Sequence, residues 1–373
     1  MLSSMSALPE GSLVLLTGAT SFLSTHIIQQ LLRRGYRVRG TVRDRARAGW
    51  LVDDLFKNET SSGAFELAVV EDMAVAHAFD EAARGVTGIV HVATDVSWSG
   101  DPNVVIPPSL AGMKNVLEAA AKEGSVKRFV YTSSVAAAAM PIPNTKWHMD
   151  KTSWNDLAVQ IAWAPPPYDG RGPLVYSAAK TESEKSLWKF VGDENPRFAV
   201  NTVLAFLFVG PLLHEKQNPS TASMIWGIDS GNTAFHLDVQ SSEFTSFRER
   251  ETILCSLTKS NFADLVAYID IADVANLHVA ALLDPTVNNE RIQAWDETNT
   301  WDKFVSAFQK IRPEKSFSGL PEGVTMLGTV DNKLGKDLLK KWTGQDDWIS
   351  VEESIKRTLD GKKPAQLTLG YSY

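Results

Sequence analysis

The chain has 373 residues, 44% of them hydrophobic, and a formal net charge of −7 at pH 7. That is enough apolar material for a sizeable core, in one large domain or two modest ones. The acidic balance argues against nucleic acid as a partner, and a single cysteine, Cys255, rules out an intrachain disulfide.

The N-terminus, MLSSMSALPEGS, lacks the basic start and apolar core of a secretory signal. No run is long and apolar enough to span a bilayer. These features predict a soluble, cytoplasmic protein with no membrane partner. No internal repeat is visible. The seven histidines are scattered, and no Cys/His spacing suggests a metal.

Leu13–Thr17 (LVLLT) is a short apolar run closed by Gly18 and reads as a buried strand. Phe22, Leu23, Ile27, Ile28, Leu31 and Leu32 then recur at helical spacing. Arg33 and Arg34 fall in the last turn, and Gly35 ends the helix. Further strands follow at Tyr36–Val42, Phe65–Val70, Gly88–Ala93 and Lys127–Thr132, the last after a helix over MKNVLEAAAKEG. This alternation predicts an α/β fold with a Rossmann-type, doubly wound parallel sheet. Residues 141–173 are rich in proline and tryptophan and read as loop. A helix spans Tyr176–Phe190, and a sixth strand spans Phe198–Gly210. Tyr268–Pro285 is a short strand turning into a helix that starts with Asp270 and Asp273, where carboxylates suit the helix dipole. Residues 212–265 and 288–373 do not continue the pattern and predict a smaller C-terminal substrate-binding lobe.

The first turn is a degenerate dinucleotide motif. Gly18 stands in place, while Ser21 and Ser24 occupy later glycine positions. A strand, a tight turn and a helix N-terminus still form an anion site suited to a pyrophosphate. Ser24 should be tolerated, whereas Ser21 is costly if its φ is positive. Taken alone, the turn also fits an ordinary strand–helix connection. At the end of the second strand the usual acid is missing. Val42 fills that position, with Arg43, Arg45 and Arg47 following. A cation cluster suits a 2′-phosphate, so NADP(H) is preferred over NAD(H). Asp44 could instead pair with Arg43 or face the ribose, and the stretch could be no more than a solvated basic loop.

YSAAK places Tyr176 and Lys180 one helical turn apart on one face. TSS, Thr132–Ser134, ends the fifth strand, where ligands collect in open α/β sheets. Carbonyl reduction needs a hydride, a proton donor and a hydrogen bond to the carbonyl oxygen. A tyrosine can donate if a nearby ammonium lowers its pKa, and a serine can hold the oxygen. Tyr36, Tyr131, Tyr168 and Tyr268 lack a lysine four positions later. The combination, in this chain order, is far more specific than Y-x-x-x-K alone.

On these residues the chain resembles an extended short-chain dehydrogenase/reductase of the dihydroflavonol reductase-like branch. It is similar to the fungal NADPH-dependent aldehyde and ketone reductases. The resemblance runs through PEGSLVLLTGA, RGYRVRGTVRD, VKRFVYTSS, TSWNDLAVQIAWAPPPYDGRGPLVYSAAKTESEKSLWKFV, YIDIADVANLHVAALL and SVEESIK. It implies that Ser134, Tyr176 and Lys180 are the catalytic set, with Ser133 the fallback serine. It implies that Gly18, Ser21, Phe22 and Leu23 line the pyrophosphate and that Arg43 meets the 2′-phosphate. Asp72 and Met73 would flank the adenine, Ala93 and Thr94 would lie along the cofactor, and Tyr176 and Lys180 would also touch it. Residues 1–211 would be the NADP-binding domain, to which 267–285 returns. Residues 212–266 and 286–373 would be the substrate lobe.

Three features depart from the family pattern. Ser21 replaces a glycine, Ala205 stands where a proline is usual, and His236–Ala267 matches nothing in the family. That insertion, about 236–266, reads either as a lid or as a gene-model artefact such as a retained intron. Its part from about Val239 to Leu265 should pack only at the periphery. The implied activity is NADPH-dependent reduction of an aldehyde or ketone. The alternative is net non-redox chemistry on the same scaffold: epimerisation, dehydration or cyclisation. A nucleotide sensor without catalysis would not need Ser134, Tyr176 and Lys180 together. The partner would be a small-molecule carbonyl, and the chain a monomer or homodimer. Trp98, Trp147, Trp163, Phe206, Phe208 and Trp226 suggest an apolar or aromatic pocket, although core packing explains them equally.

Overall fold

Strand β1 (Leu13–Thr17) is buried along its whole length. Val14 and Leu16 pack into one apolar layer, Leu13 and Leu15 into the other. A strand covered on both faces needs no polar alternation, hence the continuous apolar run. The computed structural model describes residues 6–140, 144–230, 268–296, 301–317 and 327–364. The insertion at 236–266 lies outside them.

From β1 the chain runs through α1 (Phe22–Arg33), β2 (Arg37–Val42), α2 (Lys57–Ser61), β3 (Phe65–Val69) and β4 (Gly88–His91). Then come α3 (Pro102–Lys122), β5 (Arg128–Ser134), β6 (Lys146–Met149), α4 (Asp156–Ala162) and α5 (Gly172–Glu194). The rest comprises β7 (Ala199–Ala205), β8 (Leu207–Val209), α6 (Ser223–Asp229), β9 (Tyr268–Asp270), α7 (Ile271–Leu283), β10 (Arg291–Ala294), α8 (Trp301–Ile311), β11 (Leu327–Val330), α9 (Lys333–Thr343) and α10 (Val351–Asp360). Seven strands form a parallel sheet in the order β10-β7-β5-β4-β1-β2-β3. Helices α1, α7 and α9 cover one face, while α3 and α5 cover the other. The strand order reverses between β1 and β4, so a crevice opens there at the carboxyl ends.

Besides placing β6 and α4 within the expected 141–173 loop, the structure redraws three sequence expectations. Helix α3 begins at Pro102, capped by Asp101, and continues through Pro107 and Pro108. Internal prolines lose backbone donors and normally end a helix, which is why only its second half was legible. The single strand expected at Phe198–Gly210 is two. β7 belongs to the main sheet, whereas β8 pairs with β9. Third, β10 extends the main sheet beside β7, although 286–373 was assigned to the smaller lobe. Its four residues are all buried by their neighbours, and so short a run carries no period of its own.

Candidate active site

The turn after β1 is built for close approach. Gly18 has φ +70°, and a Cβ there would lie 3.2 Å from the Cα of Ala93. The left-handed backbone calls for glycine, and any side chain would also have to push Ala93 aside. The Thr17 hydroxyl accepts from the amides of Val92 and Ala93, each at 3.0 Å, so its proton goes to His91 Nδ1 at 2.9 Å. Burial, and then the Lys180 charge, hold His91 at a pKa of about 3, so the ring is neutral. This bond set ties the carboxyl end of β1 to that of β4 across the switch point.

Ser21 caps α1 with φ −73° and accepts the Ser24 amide at 3.2 Å. The feared positive φ is absent, so serine carries no backbone strain here. The amides of Phe22 and Leu23, in the first turn, have no intrahelical acceptor by helix geometry. They remain for an anion. Ser21→Gly should retain the fold and bind nucleotide as well or better, since glycine replaces a serine cap at a cost of only a few tenths of a kcal/mol. A clear loss of affinity in titration would instead make the Ser21 hydroxyl a phosphate ligand.

Arg43 is exposed beyond β2 and forms no ion pair among the described residues. Asp44 neither pairs with it nor stays free. One carboxylate oxygen caps the amides of Ala46 and Arg47, and the other lies 3.6 Å from Arg47. Arg45 donates to the Leu67 carbonyl. Asp72 is exposed and accepts the Ala74 amide, while the Met73 carbonyl accepts from Asn115. Ala93 and Thr94 follow β4 directly.

The second cluster sits where β5 ends against α5. The Ser134 hydroxyl lies beside that of Tyr176 and acts to lower its pKa. The Ser134 oxygen also accepts the Ala136 amide at 3.1 Å. Lys180, one turn on and buried, donates to the Thr132 carbonyl at 2.9 Å and to the Tyr131 hydroxyl at 3.5 Å. Burial pushes its ammonium down to a pKa of about 7, with Glu184 acting in the opposite sense. The expectation that Lys180 draws the Tyr176 pKa down does not hold for the chain alone. Burial pushes the Tyr176 hydroxyl up, and the Ser134 hydroxyl only partly offsets this. Tyr176 therefore carries its proton at neutral pH.

Ser133 faces the other way. Buried on the strand, it donates to Glu184 at 2.7 Å and leaves Ser134 as the serine at the site. Glu184, Thr17, His91 and Tyr131 were not singled out in the sequence. Glu184 continues the Tyr176–Lys180 face by one more turn, a four-residue period that could have found it. It is fully buried and also bonded by Thr202, Arg291 and Trp188.

Of the aromatic residues, Trp98 packs on Tyr176 with ring centres 4.9 Å apart. Trp147 stacks on Trp295, and Phe206 meets Trp295 edge-on, in a cluster with Val135 beside Ser134. Phe208 leans on Phe22. Trp226 belongs to the main core, and Trp163 is a surface residue bonded to Glu182. Among the described residues no helix is long and apolar enough to cross a membrane, and no side-chain group could hold a metal.

Comparison with known proteins agrees with this architecture. Residues 14–294 match the model of the NAD dependent epimerase/dehydratase family. The chain is 36% identical to the NAD-dependent epimerase/dehydratase terH of Aspergillus terreus, over 96% of this chain and 99% of that protein. It is 34% identical to aldehyde reductase 2 of Sporidiobolus salmonicolor, over 94% and 95%. Its fold is similar to that of the yeast methylglyoxal/isovaleraldehyde reductase Gre2, solved with NADPH, with a TM-score of 0.69 and 22% identity over 93% of this chain and 97% of that one. The chain thus belongs to the NAD dependent epimerase/dehydratase family, the extended short-chain dehydrogenases/reductases.

Proposed function

We propose that the protein is an NADP(H)-dependent carbonyl reductase that converts an aldehyde or ketone to an alcohol. The observation that carries this reading is the placement of a protonated Tyr176 beside Ser134 at the end of β5, one helical turn from a Lys180 bonded to the Thr132 carbonyl. The relatives named aldehyde reductase and ketoreductase support it, as does the NADPH bound to the similar fold of Gre2.

The crevice residues fit the cofactor. With φ +70° and a Cβ that would lie 3.2 Å from the Ala93 Cα, position 18 favours glycine, which keeps the turn tight. The first turn of α1 offers amides to the pyrophosphate, and the exposed Arg43 suits the 2′-phosphate. Residues 1–211 with 267–294 would form the cofactor-binding part, and the remaining residues the substrate side. Bound at this crevice, NADPH supplies the hydride. Ser134 then holds the substrate oxygen with its hydroxyl. Tyr176 passes its phenolic proton to that oxygen as charge develops there. Lys180, when charged, would steady the resulting phenolate and would also hold the cofactor's ribose. Trp98, packed on Tyr176, offers an aromatic wall to the substrate.

The test is NADPH oxidation by the purified protein against a panel of aromatic and aliphatic carbonyls. Steady oxidation with one of them is expected. Conversion of a substrate with no net oxidation would establish the epimerase or dehydratase chemistry instead. Arg43→Ala should weaken NADPH by about tenfold or more, the effect of a lost charge-assisted hydrogen bond, and leave NADH nearly unchanged. Equal losses for both cofactors would remove Arg43 from this role.

A further inference from the structure

Loop residues 213–217, distant in sequence from both nucleotide turns, touch the elements that carry them. Gln217 is buried, and all of its polar capacity is engaged. Its oxygen accepts the amides of Leu213 at 2.9 Å and His214 at 3.4 Å, which closes the loop on itself. Its nitrogen donates to the Phe22 carbonyl at 3.1 Å and to the Thr25 hydroxyl. Both acceptors lie in the first turn of α1, the turn that offers amides to the pyrophosphate. His26 adds a bond to the Pro211 carbonyl at 3.1 Å, just before the loop.

His214 reaches the other side. Its Nδ1 accepts the Lys216 amide at 3.1 Å, so Nε2 carries the proton and donates to Asp54 at 2.8 Å. Its ring stacks on Trp50, with centres 4.7 Å apart and planes 24° apart. Trp50 ends the turn that begins at Arg43. Backbone bonds from the Ala48 amide to the Asp44 carbonyl and from the Leu51 amide to the Ala48 carbonyl make that turn continuous. Trp50 and His214 are both buried, so neither ring moves without the other.

We propose that residues 213–217 are a strap that sets nucleotide affinity, with Gln217 a positioning residue for the pyrophosphate turn and His214 for the arginine turn. The two bonds of Gln217 hold the height of α1 in the crevice. The His214–Trp50 stack and the His214–Asp54 bond hold the angle at which Arg43 leaves β2. The strap thus adds a second tie between two phosphate-binding elements, beyond the β1–β2 pairing and the bonds from the Gly18 and Ala19 amides to Thr41. This rests on the assignment of Arg43 to the 2′-phosphate.

Equilibrium titration of the full-length protein with NADPH and with NADH, followed by nicotinamide fluorescence, tests it without any substrate. His214→Ala should raise the Kd for NADPH by about tenfold and leave NADH within about twofold, because only NADPH uses the arginine turn. His214→Phe keeps the stack on Trp50 and should recover part of that loss. Asp54→Ala, at an exposed position that spares folding, should shift the same ratio in the same direction by less. Gln217→Ala should weaken both nucleotides alike. An unchanged NADPH-to-NADH ratio in both His214→Ala and Asp54→Ala, in a protein whose ratio does respond to Arg43→Ala, overturns the strap. A ratio that ignores Arg43→Ala overturns the phosphate assignment beneath it.

Discussion

Tyr176→Phe should lower carbonyl turnover by about 10²–10⁴-fold, the loss of a positioned general acid, while NADPH binds as before. Phenylalanine keeps the ring that packs against Trp98 and removes only the hydroxyl beside Ser134. Burial keeps that hydroxyl protonated at neutral pH, the form a reductive cycle needs at its start. Lys180→Ala should damage both turnover and nucleotide affinity, because the proposed role of its ammonium is twofold, at the Tyr176 phenolate and at the cofactor's ribose. The two variants are separated by measuring NADPH consumption and NADPH binding side by side. A wild-type rate in Tyr176→Phe would end the proton-donor assignment.

Lys180 also predicts the pH dependence. Its ammonium is held down to a pKa of about 7 by burial. A lysine is charged below its pKa, so its contribution to cofactor capture is present in acid and fades as pH rises through that value. kcat/KM for NADPH, which reports the free enzyme, should therefore fall above about pH 7. A flat profile between pH 6 and 9, a range of roughly three decades in proton activity around that value, would mean that Lys180 keeps its charge throughout.

Arg291→Leu should destabilise the protein by about 3–5 kcal/mol, because it leaves a buried carboxylate without its partner. Glu184 is fully buried, and Arg291 meets it with two guanidinium nitrogens at 2.9 and 3.2 Å. The same guanidinium donates to the carbonyls of Lys151 and Ser153 and lies 3.9 Å over the Trp154 ring. One side chain on β10 thereby ties the loop before α4 to the helix that carries Tyr176 and Lys180. The double variant Glu184→Leu/Arg291→Leu should recover part of the loss, since Glu184 is then no longer a buried carboxylate without its guanidinium. Recovery is incomplete because Ser133 and Thr202 lose their acceptor. Thermal or denaturant unfolding of the three variants measures this. A single variant as stable as the wild type would show that the pair contributes nothing net.

Much of the proposed site was legible in the sequence. A continuous apolar strand, a glycine that must adopt positive φ and a helix of period 3.6 announce a nucleotide turn even with two glycines missing. The Tyr176–Lys180 spacing is a property of one helix, and any helix places those two residues on one face. Local periodicity therefore determined the parallel sheet, the turn after β1 and the shared helix face of Tyr176 and Lys180. It could not see contacts made across long sequence separations. Ser133 and Ser134 are adjacent and chemically identical. They differ only because alternate residues of a strand face opposite ways, one toward buried Glu184 and one toward Tyr176. The direction of the Tyr176 pKa depended on how deeply neighbouring segments bury it, a quantity that spacing does not contain. Membership of β10 in the main sheet, the Glu184–Arg291 pair and the Gln217 and His214 strap were decided by tertiary structure alone, because each joins segments whose own sequences carry no periodic signal of the partner they meet.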